Sequence, residues 1–163
     1  QTRAGGERSR PNLTSVGCAG RITSFAETSD GRYLITLTGV CRFAVGEEIS
    51  ARTPYRQVRV DFATFEPDLS PEDQDAPEMD RERFAKALKR YLNRRELDVD
   101  DETALTAPIE PLVTSLTMGL PFEPSEKQAL LEAETLAARI RTLTALLEID
   151  ALEDDDGAPH SVQ

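Results

Sequence analysis

The spacing of apolar residues changes period part-way along the chain. In residues 14–26, TSVGCAGRITSFA, Val16, Cys18, Gly20 and Ile22 share one face while Ser15, Arg21 and Thr23 share the other, the period-2 pattern of a β-strand. Ser29-Asp30-Gly31-Arg32 then reads as a turn. Asp-Gly between two alternating runs suits a type I′ hairpin, whose two central residues need positive φ. Residues 33–45, YLITLTGVCRFAV, place Tyr33, Ile35, Leu37, Gly39, Cys41, Phe43 and Val45 on one face, with Thr36, Thr38 and Arg42 on the other. Gly39, midway, marks a bulge or a sharp bend. A third run, 55–65, sets Val58, Val60 and Phe62 against Arg59, Asp61 and Thr64. Three antiparallel strands with one apolar face make half of a small barrel, so something else is expected to cover that face and its edges.

Residues 66–78, EPDLSPEDQDAPE, hold three Pro and six acids and read as a hydrated linker. Beyond it the period becomes 3.6. In 79–95, Phe84, Leu88, Tyr91 and Leu92 form one stripe, and Arg83, Lys86, Lys89, Arg90 and Arg94 face water. After a polar, acidic connection at 98–106, Ile109, Leu112, Val113, Leu116 and Leu120 recur at helical spacing. Pro108 and Pro111 are tolerable there only in the first turn. Gly119-Leu120-Pro121 predicts the end of that helix, with Gly119 as its C-cap. From Ser125 to about Leu152 the chain is rich in Leu and Ala, and Thr135 is placed to cap and divide the run into a short and a long helix. In FEPSEKQALLE, residues 122–132, the spacing of Ser125 and Gln128 predicts a capping box, with Glu126 in the first turn where the helix dipole favours an anion. The predicted division is a β-barrel half at 1–65, an acidic linker at 66–78, a helical bundle at 79–152 and a disordered acidic tail at 153–163. The fold class is α+β.

Charge divides along the same line. Residues 1–65 carry nine Arg and six acids, whereas the remainder is strongly acidic and brings the whole chain to −11. So acidic a chain repels phosphate backbones and anionic membranes, which disfavours nonspecific binding to either. No apolar run approaches the roughly 20 residues of a membrane span, and the polar opening QTRAGGERSRPN has no apolar signal-peptide core. Cys18 and Cys41 both fall in apolar strand runs and are expected to be free, small, buried hydrophobes, which suits a cytoplasmic location.

Candidate chemistry is sparse. The single histidine, His160, lies in the tail, away from any arrangement that could support Ser-His-Asp or Cys-His catalysis or a His-based metal site. There is no phosphate-cradling glycine motif. The run Glu153-Asp154-Asp155-Asp156 is too flexible to build a defined oxygen cage, and Asp98-Val99-Asp100-Asp101-Glu102 lacks EF-hand spacing. The expectation is a protein that is not an enzyme and carries neither cofactor nor metal.

Two stretches resemble a known family. VGCAGRITSFAETSDGRYLITLTGVCRFAV is similar to the strand-turn-strand core of the Lon protease N-terminal, substrate-binding domain through Gly17-Cys18, Gly20-Arg21-Ile22, Asp30-Gly31-Arg32, Gly39-Val40 and Arg42-Phe43. LVTSLTMGLPFEPSEKQALLEAETLAARIRTLTALLE resembles the helical end of that domain in its stand-alone bacterial form, with a Leu120-Pro121-Phe122 turn, then Glu126-Lys127-Gln128, Leu130-Leu131-Glu132 and an Arg-bearing helix. The resemblance implies a PUA-like β-barrel packed on a helical bundle. It also implies a noncatalytic recognition module without the ATPase and protease domains of full-length Lon. The family's opening strand and Phe-Glu-Pro-Arg-Tyr segment have no counterpart here, so the expectation is a fragment or a short homologue with an open sheet that is prone to pair with another chain.

Three functions follow as expectations. The first is a binder of unfolded peptide segments or of a partner protein, a protease among them. Its candidate surfaces are the groove between barrel and bundle and the loop Leu120, Pro121 and Phe122, although the same loop also suits a buried staple between helices. The second is a PUA-like nucleic-acid binder using the basic sheet half and the Arg-rich helix, disfavoured for want of an aromatic stacking platform. The third, a small-molecule sensor, lacks an aromatic cage, since the chain has no Trp.

Overall fold

Strands come first and helices second, and the chain divides into two units at Leu69/Ser70. The computed structural model describes residues 11–70, 79–97 and 107–152. Most of the predicted linker, the acidic connection and the acidic tail with His160 therefore lie outside the described residues.

The first unit is a three-stranded antiparallel sheet in the order β1-β2-β3, with β1 at Val16–Glu27, β2 at Tyr33–Ile49 and β3 at Gln57–Asp61. The hairpin turn forms where Asp-Gly predicts it, but with different geometry. Only Gly31 takes a positive φ, 77°, and Asp30 does not. Gly31 N–H donates to the Thr28 carbonyl at 3.0 Å and Thr28 N–H to the Arg32 carbonyl at 2.8 Å. That is a longer loop closed by one left-handed glycine rather than a type I′ turn.

The predicted irregularity at Gly39 is present. Ala19 stands opposite Cys41 and Gly20 opposite Gly39, so Val40 is an extra residue on β2. This corrects the single apolar face read from residues 33–45. An extra residue reverses the alternation, because side chains have a period of two. Tyr33, Ile35, Leu37 and Gly39 share a face, while Cys41, Phe43 and Val45 lie on the opposite one. Phe43 packs edge-on against Phe62, with ring centroids 5.8 Å apart, and lies over Gly17, where a Cβ would sit 2.7 Å from the ring. Glycine at 17 is thus a requirement of close packing.

The third strand is shorter than its pattern suggests, and the predicted linker begins as structure. Residues Ala63–Leu69 form a 3₁₀ helix that buries Phe65. It accounts for Asp68, read as part of the hydrated linker: the carboxylate is bonded to Arg42.

Among the described residues the second unit has four helices: α1 at Arg81–Arg94, α2 at Ile109–Gly119, α3 at Pro124–Glu132 and α4 at Leu136–Leu152. The predicted stripes meet in one core, in which Leu130, Leu143, Leu147 and Val113 are fully enclosed and Phe84 and Tyr91 nearly so. Burying such side chains contributes about 1.5–3 kcal/mol each, and α1 packs chiefly on α4. Across that contact Arg83 donates to both carboxylate oxygens of Glu148 at 2.7 Å, while Arg94 and Arg95 both reach Asp150.

Helix ends explain the order. Thr135 does cap α4, its hydroxyl accepting from the Ala138 N–H at 3.1 Å. Asp80 caps α1 in the same way through the Arg83 N–H at 2.9 Å. Gly119 is not the C-cap of α2. It is the last helical residue, and Leu120 turns extended at φ −70°, ψ 145°, because the residue before a proline is pushed out of the helical region. At α3 the predicted cap is displaced by two residues. Glu123 is the N-cap, Pro124 occupies the first helical position, and the capping box pairs Glu123 with Glu126, whose carboxylate accepts from the Glu123 N–H at 2.8 Å. Pro124 decides this, since it has no N–H to lose and its fixed φ suits that position.

Glu126→Ala is therefore expected to lower stability by about 1 kcal/mol, whereas Ser125→Ala should change it by less than about 0.5 kcal/mol; urea denaturation of the two variants checks the order. The Arg83 hydrogen bond holds the Glu148 carboxyl below the usual glutamate range. A folded-state value below the unfolded one means that the pair stabilises at neutral pH and loses its contribution as pH falls through it. An NMR titration should show Glu148 returning upward to the ordinary range in Arg83→Ala.

Candidate functional site

The residues singled out by motif are mainly structural. Arg42 is buried, unlike the other strand arginines, and is tied to Asp68 three ways. Its backbone N–H donates to Asp68 Oδ2 at 3.0 Å, its Nε to the same oxygen at 2.8 Å, and its Nη2 to Oδ1 at 2.7 Å. The guanidinium also lies 4.5 Å from the centroid of the Phe65 ring. Next to it the Cys41 thiol is buried and donates to the Phe65 carbonyl at 3.3 Å, and burial pushes its pKa up. Cys18 is exposed, contrary to expectation: it stands opposite Arg42 while Cys41 stands opposite Ala19, so the two thiols lie on opposite faces of the sheet. Both cysteines are free.

Asp30 and Arg32 pair across the hairpin loop at 2.6 Å, which holds the Asp30 carboxyl below its ordinary value. Arg21 stands opposite Thr38 on the exposed arm. In the helical unit Lys127 Nζ donates to the Met118 carbonyl at 3.2 Å, satisfying the end of α2, and Gln128 bonds Glu132 at 2.9 Å. Ser125 is exposed and caps nothing.

The candidate contact loop Leu120, Pro121 and Phe122 is also part of the scaffold. Leu120 and Phe122 are buried in the helical core, with the Phe122 ring 5.5 Å from Tyr91, and only Pro121 faces outward. Its apolar side chains are spent on joining α2 to α3, so the loop does not offer them to a partner.

What the pattern did not single out is the free end of the β1-β2 hairpin. Ile22 stands opposite Leu37 and Phe25 opposite Ile35, so these four share a face with Tyr33. All five are 50–61% exposed. Phe25 and Tyr33 stack there with centroids 5.0 Å apart. The reverse face is quieter: Thr23 and Thr38 share a hydrogen bond at 3.3 Å, and its large exposed apolar groups are Leu34 and Val40. Apolar alternation was legible in the sequence; that it faces solvent rather than a core was not. Among the described residues no group of His, Cys, Asp and Glu is placed to hold a metal ion, and no helix is long and apolar enough to cross a membrane.

Comparison with known proteins bears on what such a surface is for. The family model described as the ATP-dependent protease La (LON) substrate-binding domain matches residues 2–148. The chain belongs to the Lon substrate-binding domain family. Among solved structures it is similar to the N-terminal domain of the Mycobacterium avium complex Lon protease, at 19% identity and a TM-score of 0.58, over 86% of this chain and 74% of that one. A search of curated protein sequences finds no match. Family membership accounts for the mixed sheet-and-helix fold and supports a substrate-binding role.

The three-way hold of Asp68 on Arg42 makes a specific demand. Asp68→Ala removes these three hydrogen bonds from a buried arginine and should cost about 3 kcal/mol. The loss should appear in hydrogen exchange at 41–45 of β2, with α1–α4 unchanged; equal loss in both units would show that the pair does not act locally.

Proposed function

We propose that this chain is a noncatalytic module that binds unfolded or extended polypeptide segments. The observation that supports it most directly is the apolar end of the hairpin, with five large side chains at least half exposed, in a member of a substrate-binding family. Exposed apolar patches of this size on a water-soluble fold usually mark a contact surface. Most of the motif residues, Asp30, Gly31, Arg32, Arg42, Phe43, Glu126, Lys127 and Gln128 among them, are occupied in holding each unit in shape, which leaves recognition to surface side chains that carry no catalytic chemistry. The mixed charge and polar remainder of the surface fit a cytoplasmic setting.

A nucleic-acid role finds less support. Arg83, Arg94 and Arg95 of the basic helix are bonded to Glu148 and Asp150, and Arg56 of the sheet to Glu48. Cations held by carboxylates within the molecule have less to offer a phosphate backbone.

The test uses reduced, carboxymethylated lactalbumin, which stays unfolded, and native lactalbumin as its folded counterpart. Saturable binding to the unfolded form and none to the native form is the expected outcome in fluorescence anisotropy. Absence of saturable binding to the unfolded form overturns the proposal. So does binding to a single-stranded RNA of mixed sequence that is tighter than to the unfolded protein and falls steeply with salt.

A further inference from the structure

Which surface would take the polypeptide follows from the register of the hairpin, and this step rests on the binding role just proposed. Five large apolar side chains of β1 and β2 in the arm, Ile22, Phe25, Tyr33, Ile35 and Leu37, share one face, against Leu34 and Val40 on the reverse. Together they expose roughly 500 Å², within the range of functional patches on monomers. The segments outside the described residues, 1–10, 71–78, 98–106 and 153–163, contain no aromatic or Ile residue and only Val99, Leu105 and Val162 among the larger aliphatics. They have little with which to cover such a face. A second copy docked face to face would bury about that same area on each side, short of the roughly 800 Å² per partner of a stable interface. The area instead matches a short segment bound reversibly.

The same face has a step in it. Gly20 and Gly39 stand directly opposite each other between the Ile22–Leu37 pair and Cys18. Neither takes a positive φ. A Cβ on Gly39 would meet only the Cys18 sulfur, at 3.5 Å, and one on Gly20 only Leu37, at 3.4 Å or more. Neither the backbone nor internal packing demands glycine at these two positions, in contrast to Gly31 and Gly17. Glycine inside a strand also serves where another chain comes close.

We propose that this face, Ile22, Phe25, Tyr33, Ile35 and Leu37 with the Gly20–Gly39 step beside it, is where an extended apolar peptide docks, one large aliphatic side chain seating on the glycine step. The contact is by side chains on the sheet face rather than by strand addition. Thr23 is an extra residue on β1 and Val40 one on β2, and such bulges interrupt, on both edges of the arm, the row of hydrogen-bonding groups that an added strand would need.

The experiment compares the full chain with three variants at exposed positions, using a fluorescein-labelled decapeptide of alternating Leu and Ser and the carboxymethylated lactalbumin above. Leu37→Glu places a charge on the face, Gly39→Leu fills the step, and Leu34→Glu places the same charge on the reverse face. Unchanged thermal midpoints confirm folding; Ile35→Glu substitutes for Leu37→Glu or Gly39→Leu if either does not fold, and Thr36→Glu for Leu34→Glu. The expected result is at least a tenfold loss of affinity for Leu37→Glu and Gly39→Leu, with Leu34→Glu within twofold of the parent. If the parent binds and all three variants bind equally, the surface lies elsewhere while the binding role stands. If the parent does not bind, the role itself fails and the surface assignment with it. Sedimentation supplies the remaining outcome: a parent that is dimeric and a Leu37→Glu variant that is monomeric would make this face a self-contact and overturn the assignment.

Discussion

The grip of Asp68 on Arg42 is the interaction on which the sheet unit depends. Among the described residues β3 pairs with β2 only along 44–49, and no strand lies on the edge of β2 where Arg42 sits. A backbone N–H on such an edge needs a partner, and here it receives a carboxylate rather than another strand. The same carboxylate takes the guanidinium, and the guanidinium lies against the Phe65 ring. One acidic residue thereby fastens the 3₁₀ helix to the sheet and closes the edge. The geometry depends on Val40: the extra residue turns the strand so that Cys41 and Arg42, consecutive and on opposite faces, are both buried against the 3₁₀ helix. Without that helix the sheet unit would have almost no enclosed side chains.

The two units solve the problem of burial differently. Among the described residues the helical unit turns most of its large apolar side chains inward, from Phe84 on α1 to Leu147 on α4, leaving Met118 and Ile149 exposed, and its loop residues Leu120 and Phe122 join the same core. The sheet unit encloses Val16, Cys41, Arg42 and Phe65 at its base and leaves the arm bare. An element that is organised at one end by a buried ion pair and exposed at the other is suited to present side chains without being held together by them. Replacing residues at the tip should disturb what the arm meets more than whether it folds.

Much of the architecture was legible from periodicity. The switch from period 2 to 3.6, the Asp30-Gly31 turn, the irregularity at Gly39, the Thr135 cap and the core stripe of α1 all follow from residue type and spacing. The misreadings share a cause, which is that local pattern does not specify what lies on the other side. A strand with an extra residue reverses its alternation, and nothing in YLITLTGVCRFAV marks which residue is extra. Arg42, grouped with Thr36 and Thr38 away from the apolar face, gave no sign of burial because its partner Asp68 lies in a segment whose composition reads as linker. Cys18 and Cys41 occupy similar apolar runs, yet only Cys41 has the 3₁₀ helix over it. In FEPSEKQALLE both Ser125 and Glu123 could begin a helix, and the proline between them selects Glu123.

The same distinction separates the family motifs from the candidate binding surface. Asp30-Gly31-Arg32, Arg42-Phe43 and Glu126-Lys127 are recognisable because each meets a geometric demand: a loop closed by one left-handed residue, an edge satisfied by a carboxylate, a helix start and a helix end bonded across a turn. Requirements of that kind fix residue identity narrowly. A surface that takes extended apolar segments is constrained only to be apolar, exposed and well supported, and Ile, Leu, Phe or Tyr meet that condition almost equally. Motif residues in such a module therefore mark the frame, and the side chains that do the binding look ordinary. Gly20 and Gly39 sit at the boundary between the two: they belong to the recognisable motif, but neither backbone conformation nor internal packing accounts for them. Ile22, a motif residue beside them on the same face, is exposed as well, and these are the motif positions better explained by something that approaches from outside.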